Sequence, residues 1–205
     1  MAAMTTGNTS RADANRRRIL DVALAELLRD PDASMDQIAR AAGVVRRTVY
    51  GHFPSREALI STLVDGAVQA LSDAHEAGQE GVGDPAEAVA RSVLAVWEIA
   101  DRYRLLVALA QRTVTMQGIR ERLAPVRGSA ARLLQRGLDQ GVFVSTLPAP
   151  ALAYVHEQML FALMEAVNDG LLDTREAGRS AAVTVLTAAG VPASLATALV
   201  ARLSP

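Results

Sequence analysis

Arg46, Arg47, Thr48, Tyr50 and His52 stand within seven residues of one another, in the run RRTVYGHF that ends at Phe53. None of these side chains suits a buried apolar face, and together they offer the donors and acceptors that meet a DNA duplex. Arg reaches the O6 and N7 atoms of guanine through two parallel hydrogen bonds, and Thr bonds a base edge or touches a thymine methyl. Tyr and His bond phosphate oxygens, which fix register without carrying sequence. A solvated arginine face on an ordinary helical hairpin is the plain alternative.

The elements that must position these residues lie around them. Ser34 is a good helix N-cap, with Gln37 three residues later where a capping box places Glu or Gln. Ile38, Ala39 and Ala42 recur at helical spacing, and Gly43 follows where a helix ends in the left-handed region. Val44, Val49 and Phe53 resume the apolar pattern. Two short helices joined by a tight turn, the second one basic, are the layout of a helix-turn-helix whose second helix enters the major groove.

IARAAGV, TVYGHF and PSREALI, in that order, resemble the N-terminal domain of the tetracycline-repressor (TetR) family of bacterial transcription regulators, over about residues 14–65. The resemblance implies an all-α protein of about nine to ten helices. Its three-helix DNA-binding domain is followed by a helical domain that dimerises and binds a small ligand. By position, Ser34 matches the Thr that often opens helix 2, and Arg47 and Thr48 match groove-facing residues. Tyr50 and His52 match contacts to the DNA backbone, and Arg56 matches the usual Lys opening helix 4, so that Ser34, Arg46 and Arg56 are expected to bind DNA with them. Val45 departs from the family, which commonly has Ser there, so the recognition helix lacks its side-chain cap.

The chain of 205 residues is half hydrophobic and has room for one large domain or two small ones. It has no Cys, hence no disulfide, thiolate metal site or Cys nucleophile. The polar, basic stretch Met1–Arg18 lacks an apolar signal core, and His156, Glu157 and Gln158 interrupt the longest apolar run, so a cytoplasmic protein is expected. The net charge is −1, but its distribution is uneven. Through Arg56 nine Arg face six acids, while the remainder is acidic, and no Lys occurs anywhere. A positive end on a slightly acidic body suits docking on phosphates.

In chain order, Met1–Ala12 reads as a disordered arm, residues 13–56 as the DNA-binding domain and residues 57–205 as the helical ligand-binding and dimerisation domain. Arg16, Arg17 and Arg18 open helix 1 as a solvated start or as a phosphate or minor-groove contact; its apolar faces are Ile19, Ala23, Leu27 and Leu20, Leu24, Leu28. Helix 4 runs from Ser55 to about Ala77, and Gly78–Asp84 reads as a flexible loop. Helix 5 starts at Pro85 and ends near Arg102, and helix 6 reaches about Val114. Pro125 breaks the next stretch, with helix 7 running to Gln140. Ala149–Asn168 is helix 8, helix 9 runs from its cap at Asp173 to Ala189, and Ala193–Leu203 is the last helix.

Two further constellations are open to more than one reading. Trp97, Tyr103, Met116, Phe143, Tyr154, Phe161 and Met164 either fill a core or line an apolar cavity; the resemblance favours a cavity, with Trp97 and Phe161 foremost. Gln111, His156, Gln158 and Glu165 are polar groups able to orient a ligand there or to face solvent. Ala177, Ala181, Val185 and Ala188 form a small-residue stripe on helix 9, suited to intrachain packing or, as the resemblance implies, to a homodimer interface shared with Leu160 and Leu163 of helix 8. No nucleophile elbow, phosphate loop, carboxylate pair or metal-ligand spacing stands out, so neither an enzyme nor a cofactor is expected. The expected partners are double-stranded operator DNA, a small-molecule effector and a second copy, with no membrane. The reading is a ligand-responsive repressor released from a palindromic operator by a small apolar or amphipathic molecule. A helical small-molecule or protein-binding module with a vestigial helix-turn-helix is the alternative.

Overall fold

In the computed structural model, residues 6–110 and 115–204 are described, as ten α-helices without a strand among them. They are α1 (Thr6–Arg29), α2 (Met35–Ala41), α3 (Arg46–His52), α4 (Arg56–Gln79), α5 (Pro85–Ala110), α6 (Met116–Arg122), α7 (Ala124–Asp139), α8 (Ala149–Asn168), α9 (Thr174–Ala188) and α10 (Ala193–Leu203). The all-α class holds.

Local chemistry explains most of the boundaries. Ser34 Oγ accepts from the Gln37 N–H at 3.3 Å while Gln37 Oε1 accepts from the Ser34 N–H at 2.7 Å, completing the capping box. Gly43, at φ +64°, lets α2 stop: its N–H reaches the Arg40 carbonyl and the Val44 N–H returns to the Ala39 carbonyl. Ser55 Oγ accepts from the Ala58 N–H at 3.1 Å and starts α4, and Asp173 does the same for α9 through the Arg175 N–H.

Three expectations give way. Of the stretch read as a disordered arm, residues 1–5 lie outside the described residues and the remainder is helical from Thr6 onwards, because a helix already nucleated extends at little cost. The break expected near Arg102 does not occur, since no Gly or Pro follows Pro85 within α5; Val114 lies outside the described residues. Gly78 is not in a loop but in the last turn of α4, where a Cβ would stand 2.6 Å from Ser92 Cα. It is the contact point of α4 with α5, and beside it Ser92 Oγ donates to the His75 carbonyl at 3.1 Å.

The described residues group into two compact units, one reaching Gly66 and adding Leu105–Ile119, the other formed by Ala67–Arg104 and the chain from Arg120 onwards. The first unit thus takes in Glu57–Gly66, beyond the Arg56 boundary read from the sequence. Its buried side chains include Ile19, Ala23 and Leu27 of α1, Ile38 of α2, Val49 and Phe53 at α3, and Leu59 and Ile60 of α4. In the second unit α7 packs on α8, α8 on α9 and α9 on α10. Its core joins Val93 and Trp97 to Leu133, Leu134, Leu152, Ala153, Leu186 and Val200.

That core corrects the reading of α9. Ala177, Ala181 and Val185 are 0, 0 and 1% exposed in a single chain, so the stripe faces its own core and leaves no side-chain surface for a second copy. Leu160 and Leu163 also pack against this core, partly buried, and only Ala188 of the set is exposed. Small residues permit a close approach by either kind of neighbour, and here intrachain packing takes it.

Candidate nucleic-acid interface

Within the first unit, α2 packs on α1 and on α3. Val49 and Phe53 anchor α3, at 0 and 2% exposure, and this decides where its other side chains go. Arg46, Arg47 and Tyr50 are exposed, and Thr48 and His52 are half-buried. Val45, the N-cap, makes no side-chain cap and is 69% exposed; the first turn is closed by the Thr48 N–H bonding the Val45 carbonyl at 2.9 Å. The five residues singled out in the sequence therefore lie on one short helix, off its buried side.

Their surroundings differ. Arg47 has no ion-pair or hydrogen-bond partner among the described residues. Arg46 does: its Nη1 lies 2.9 Å from Asp36 Oδ2, and its guanidinium carbon stands 5.1 Å from the centre of the Tyr50 ring. Ser34 is exposed, with its hydroxyl donating to Gln37 Oε1 at 2.7 Å. Arg56 is placed otherwise than the resemblance implies. Its Nε donates to the Ala33 carbonyl at 3.1 Å and its Nη2 to the Pro31 carbonyl, so it ties α4 to the loop before α2. Arg16 stands over the Phe53 ring, 5.4 Å from its centre, while Arg17 and Arg18 are exposed.

Asp36 was missed in the sequence. It lies ten residues before Arg46, beyond any helical spacing, and only the turn at Gly43 brings the two together. Arg56 was assigned from its place at the head of α4, and nothing in the spacing signals its two carbonyl partners.

The residues proposed for a ligand cavity are scattered. Trp97 is core: it lies against α9, where a Cβ on Gly178 would stand 3.0 Å from its Cδ1, and its Nε1 has no partner among the described residues. Phe143 and Met164 belong to the same core, and Phe161 packs partly buried against it. Tyr154 is corrected: it is 44% exposed on α8, with the Arg127 guanidinium 6.0 Å from its ring centre. Tyr103 is half-buried beside Arg102, and Met116 belongs to the first unit. Gln111 lies outside the described residues. Gln158 accepts from Arg120 Nη2 at 3.0 Å and Glu165 is exposed. His156 is buried and its Nε2 has no partner among the described residues. Removal from water pushes its pKa down to about 4, so it is held neutral.

A groove of about 480 Å³ between α9 and α10 is lined by Glu176, Arg179, Val183, Thr184, Val200 and Ser204, among others, and by none of the residues expected to hold a ligand. Among the described residues no cluster of His, Asp and Glu has the makings of a metal site, and no helix is long and apolar enough to cross a membrane.

Known proteins share this arrangement. The family described as "Bacterial regulatory proteins, tetR family" matches residues 19–63, which span the helix-turn-helix and the start of α4. The transcriptional regulator EthR of Mycobacterium tuberculosis is 29% identical over 175 residues, 75% of this chain and 78% of that protein. The transcriptional repressor LfrR of Mycolicibacterium smegmatis is 38% identical over 79 residues, 38% of this chain and 41% of its own. The crystal structure of LfrR from Mycobacterium smegmatis in complex with proflavine superposes with a TM-score of 0.66, covering 86% of this chain and 96% of that one at 22% identity, a likeness of fold. With the matching segment laid over the helix-turn-helix itself and the fold shared along the chain, this protein belongs to the TetR family of transcriptional regulators.

Proposed function

We propose that this chain is a repressor that binds a palindromic operator as a homodimer and leaves it when a small apolar or amphipathic molecule binds the second unit. The observation that carries the reading is the exposed basic and polar surface of α3, held outward by the buried Val49 and Phe53. In this reading Arg47 and Thr48 read base edges, while Tyr50 and His52 bond phosphates. Two recognition helices need half-sites about 34–36 Å apart, or a multiple of that, which calls for two-fold symmetry.

With the α9 stripe covered by its own chain, a second copy needs another surface. Val155, 37% exposed, and Ala162, one heptad later on α8, offer an apolar one. An effector acts through differential affinity: it releases DNA only by as much as it prefers the state that does not bind. α4 is a single helix with residues in both units and is the covalent route for such coupling. The unpartnered Nε2 of His156 supports an effector with one hydrogen-bonding group on an apolar body.

The test is selection of bound duplexes from a random pool, followed by a footprint upstream of the protein's own gene. The expected result is a two-fold symmetric sequence bound with a steep salt dependence. Binding that is absent at every salt concentration, or without any repeated half-site, sinks the reading. A titration with proflavine and with a saturated fatty acid as probes then separates an aromatic from an aliphatic effector by which one releases the selected duplex.

A further inference from the structure

Arg46 and Arg47 are neighbours at the head of α3, yet their guanidinium groups are differently engaged. Arg46 Nη1 lies 2.9 Å from Asp36 Oδ2, its guanidinium covers the Tyr50 ring at 5.1 Å, and its Nη2 stands 3.4 Å from the Tyr50 hydroxyl. Asp36 occupies the first turn of α2, where the helix N-terminus favours an acid. Its Oδ1 is buried and has no partner among the described residues, which leaves Oδ2 as the oxygen that meets Arg46.

From this geometry we infer that Arg46 is a positioning residue, which holds the Tyr50 phenol ready for DNA and makes no DNA contact of its own. The inference rests on the reading of α3 as DNA-binding and assigns a role within it. Tyr50 is 38% exposed, and a phenol on a helix surface otherwise loses rotamer freedom when it docks. A stacked guanidinium removes part of that loss beforehand, and Asp36 holds the guanidinium in place from the neighbouring helix. Arg is suited to this because it is planar and presents a fork of donors, whereas Lys offers the same charge without the plane. Asp36 and the Tyr50 hydroxyl between them engage both terminal nitrogens of Arg46.

The test compares the intact protein with Arg46→Ala, Arg46→Lys, Tyr50→Ala, Arg46→Ala/Tyr50→Ala and Asp36→Asn. Affinity is measured over a range of salt, for the duplex selected above and for a scrambled duplex of the same length. Melting curves confirm that each variant is folded. Arg46→Ala and Arg46→Lys should each weaken both duplexes about three- to tenfold, the worth of ordering one side chain. The salt slope should stay that of the wild type, and Arg46→Ala should cost almost nothing once Tyr50 is already Ala. At high salt, where a bare charge counts least, Asp36→Asn should also weaken binding, against the sign that electrostatic repulsion from DNA gives.

Arg46→Lys at wild-type affinity, with a slope shallower by about 0.9 in Arg46→Ala and additive losses, identifies a phosphate contact and overturns the inference. Relaxed preference at one base pair in Arg46→Ala overturns it in favour of base reading. Tighter binding by Asp36→Asn at high salt also overturns it. If the wild type binds no duplex at all, the DNA-binding reading falls first and the inference with it.

Discussion

Arg56 Nε donates to the carbonyl oxygen of Ala33 at 3.1 Å, across the 23 residues that separate them in the chain. The first residue of α4 thereby closes the loop leading from α1 into α2, with a second bond to the Pro31 carbonyl. A charged donor on two loop carbonyls stabilises the helix-turn-helix rather than reaching outward. Arg56→Ala should lower stability by about 1–2 kcal/mol. The salt slope of DNA binding should change by much less than the value of about 0.9 expected for one lost phosphate contact. Denaturant titration and a binding series over salt check the two halves of this prediction.

Arg47 carries the opposite expectation. It is exposed and unpaired among the described residues, so Arg47→Ala should leave stability within about 0.5 kcal/mol of wild type. Its specific binding should weaken by about 1–3 kcal/mol, with relaxed preference at one position of the selected sequence. Thr48→Ala should act in the same direction. Competition of the selected duplex against single-position variants reads the outcome, and unchanged preference for Arg47→Ala removes it from the groove.

Burial makes two histidines sensitive to pH. His75 and His156 are 6 and 7% exposed, and loss of water pushes each down to about 4, with the positive charge of Arg132 a second cause for His75. The unfolded chain titrates them near ~6.5, so below that pH it binds more protons than the folded chain. Their contribution is therefore complete above ~6.5 and declines as pH falls towards 4, by up to about 3 kcal/mol per histidine. The melting temperature should drop on acidification through this window. His156→Gln should flatten the decline, and an equal slope in both proteins counts against a neutral, buried His156.

Ala181→Glu separates packing within the chain from assembly. At 0% exposure an added carboxylate has neither room nor partner, and the variant should be unfolded or several kcal/mol less stable, not a folded monomer. Val155→Glu on the exposed face of α8 should keep its helical content and lose the dimer. Sedimentation with circular dichroism on both variants decides this, and a folded, monomeric Ala181→Glu protein reverses the assignment.

Much of the architecture was legible in the sequence because it is written in local chemistry. The capping box at Ser34 and Gln37, the left-handed Gly43, and the prolines entering α8 at Pro148 and Pro150 each act within a turn or two of helix. Ala149–Asn168 and Ala193–Leu203 follow from such signals. The exposed polar side of α3 was equally plain, since Val49 and Phe53 leave its arginines nowhere else to go.

Tertiary structure alone decided which neighbour each ambiguous residue takes. Asp36 meets Arg46, and Arg56 meets Ala33, because α2 is folded back against both its neighbours, and no periodicity encodes a partner across a turn. An alanine-rich helix such as α9 accepts close packing on several sides, so its composition did not say whether Ala177 and Ala181 face their own chain or another. Trp97 likewise suits a filled core or a cavity wall, and the approach of α9 at Gly178 makes it core. Local rules extend over the few residues that share one stretch of helix, whereas the contacts that assign these roles join residues brought together only when the helices pack.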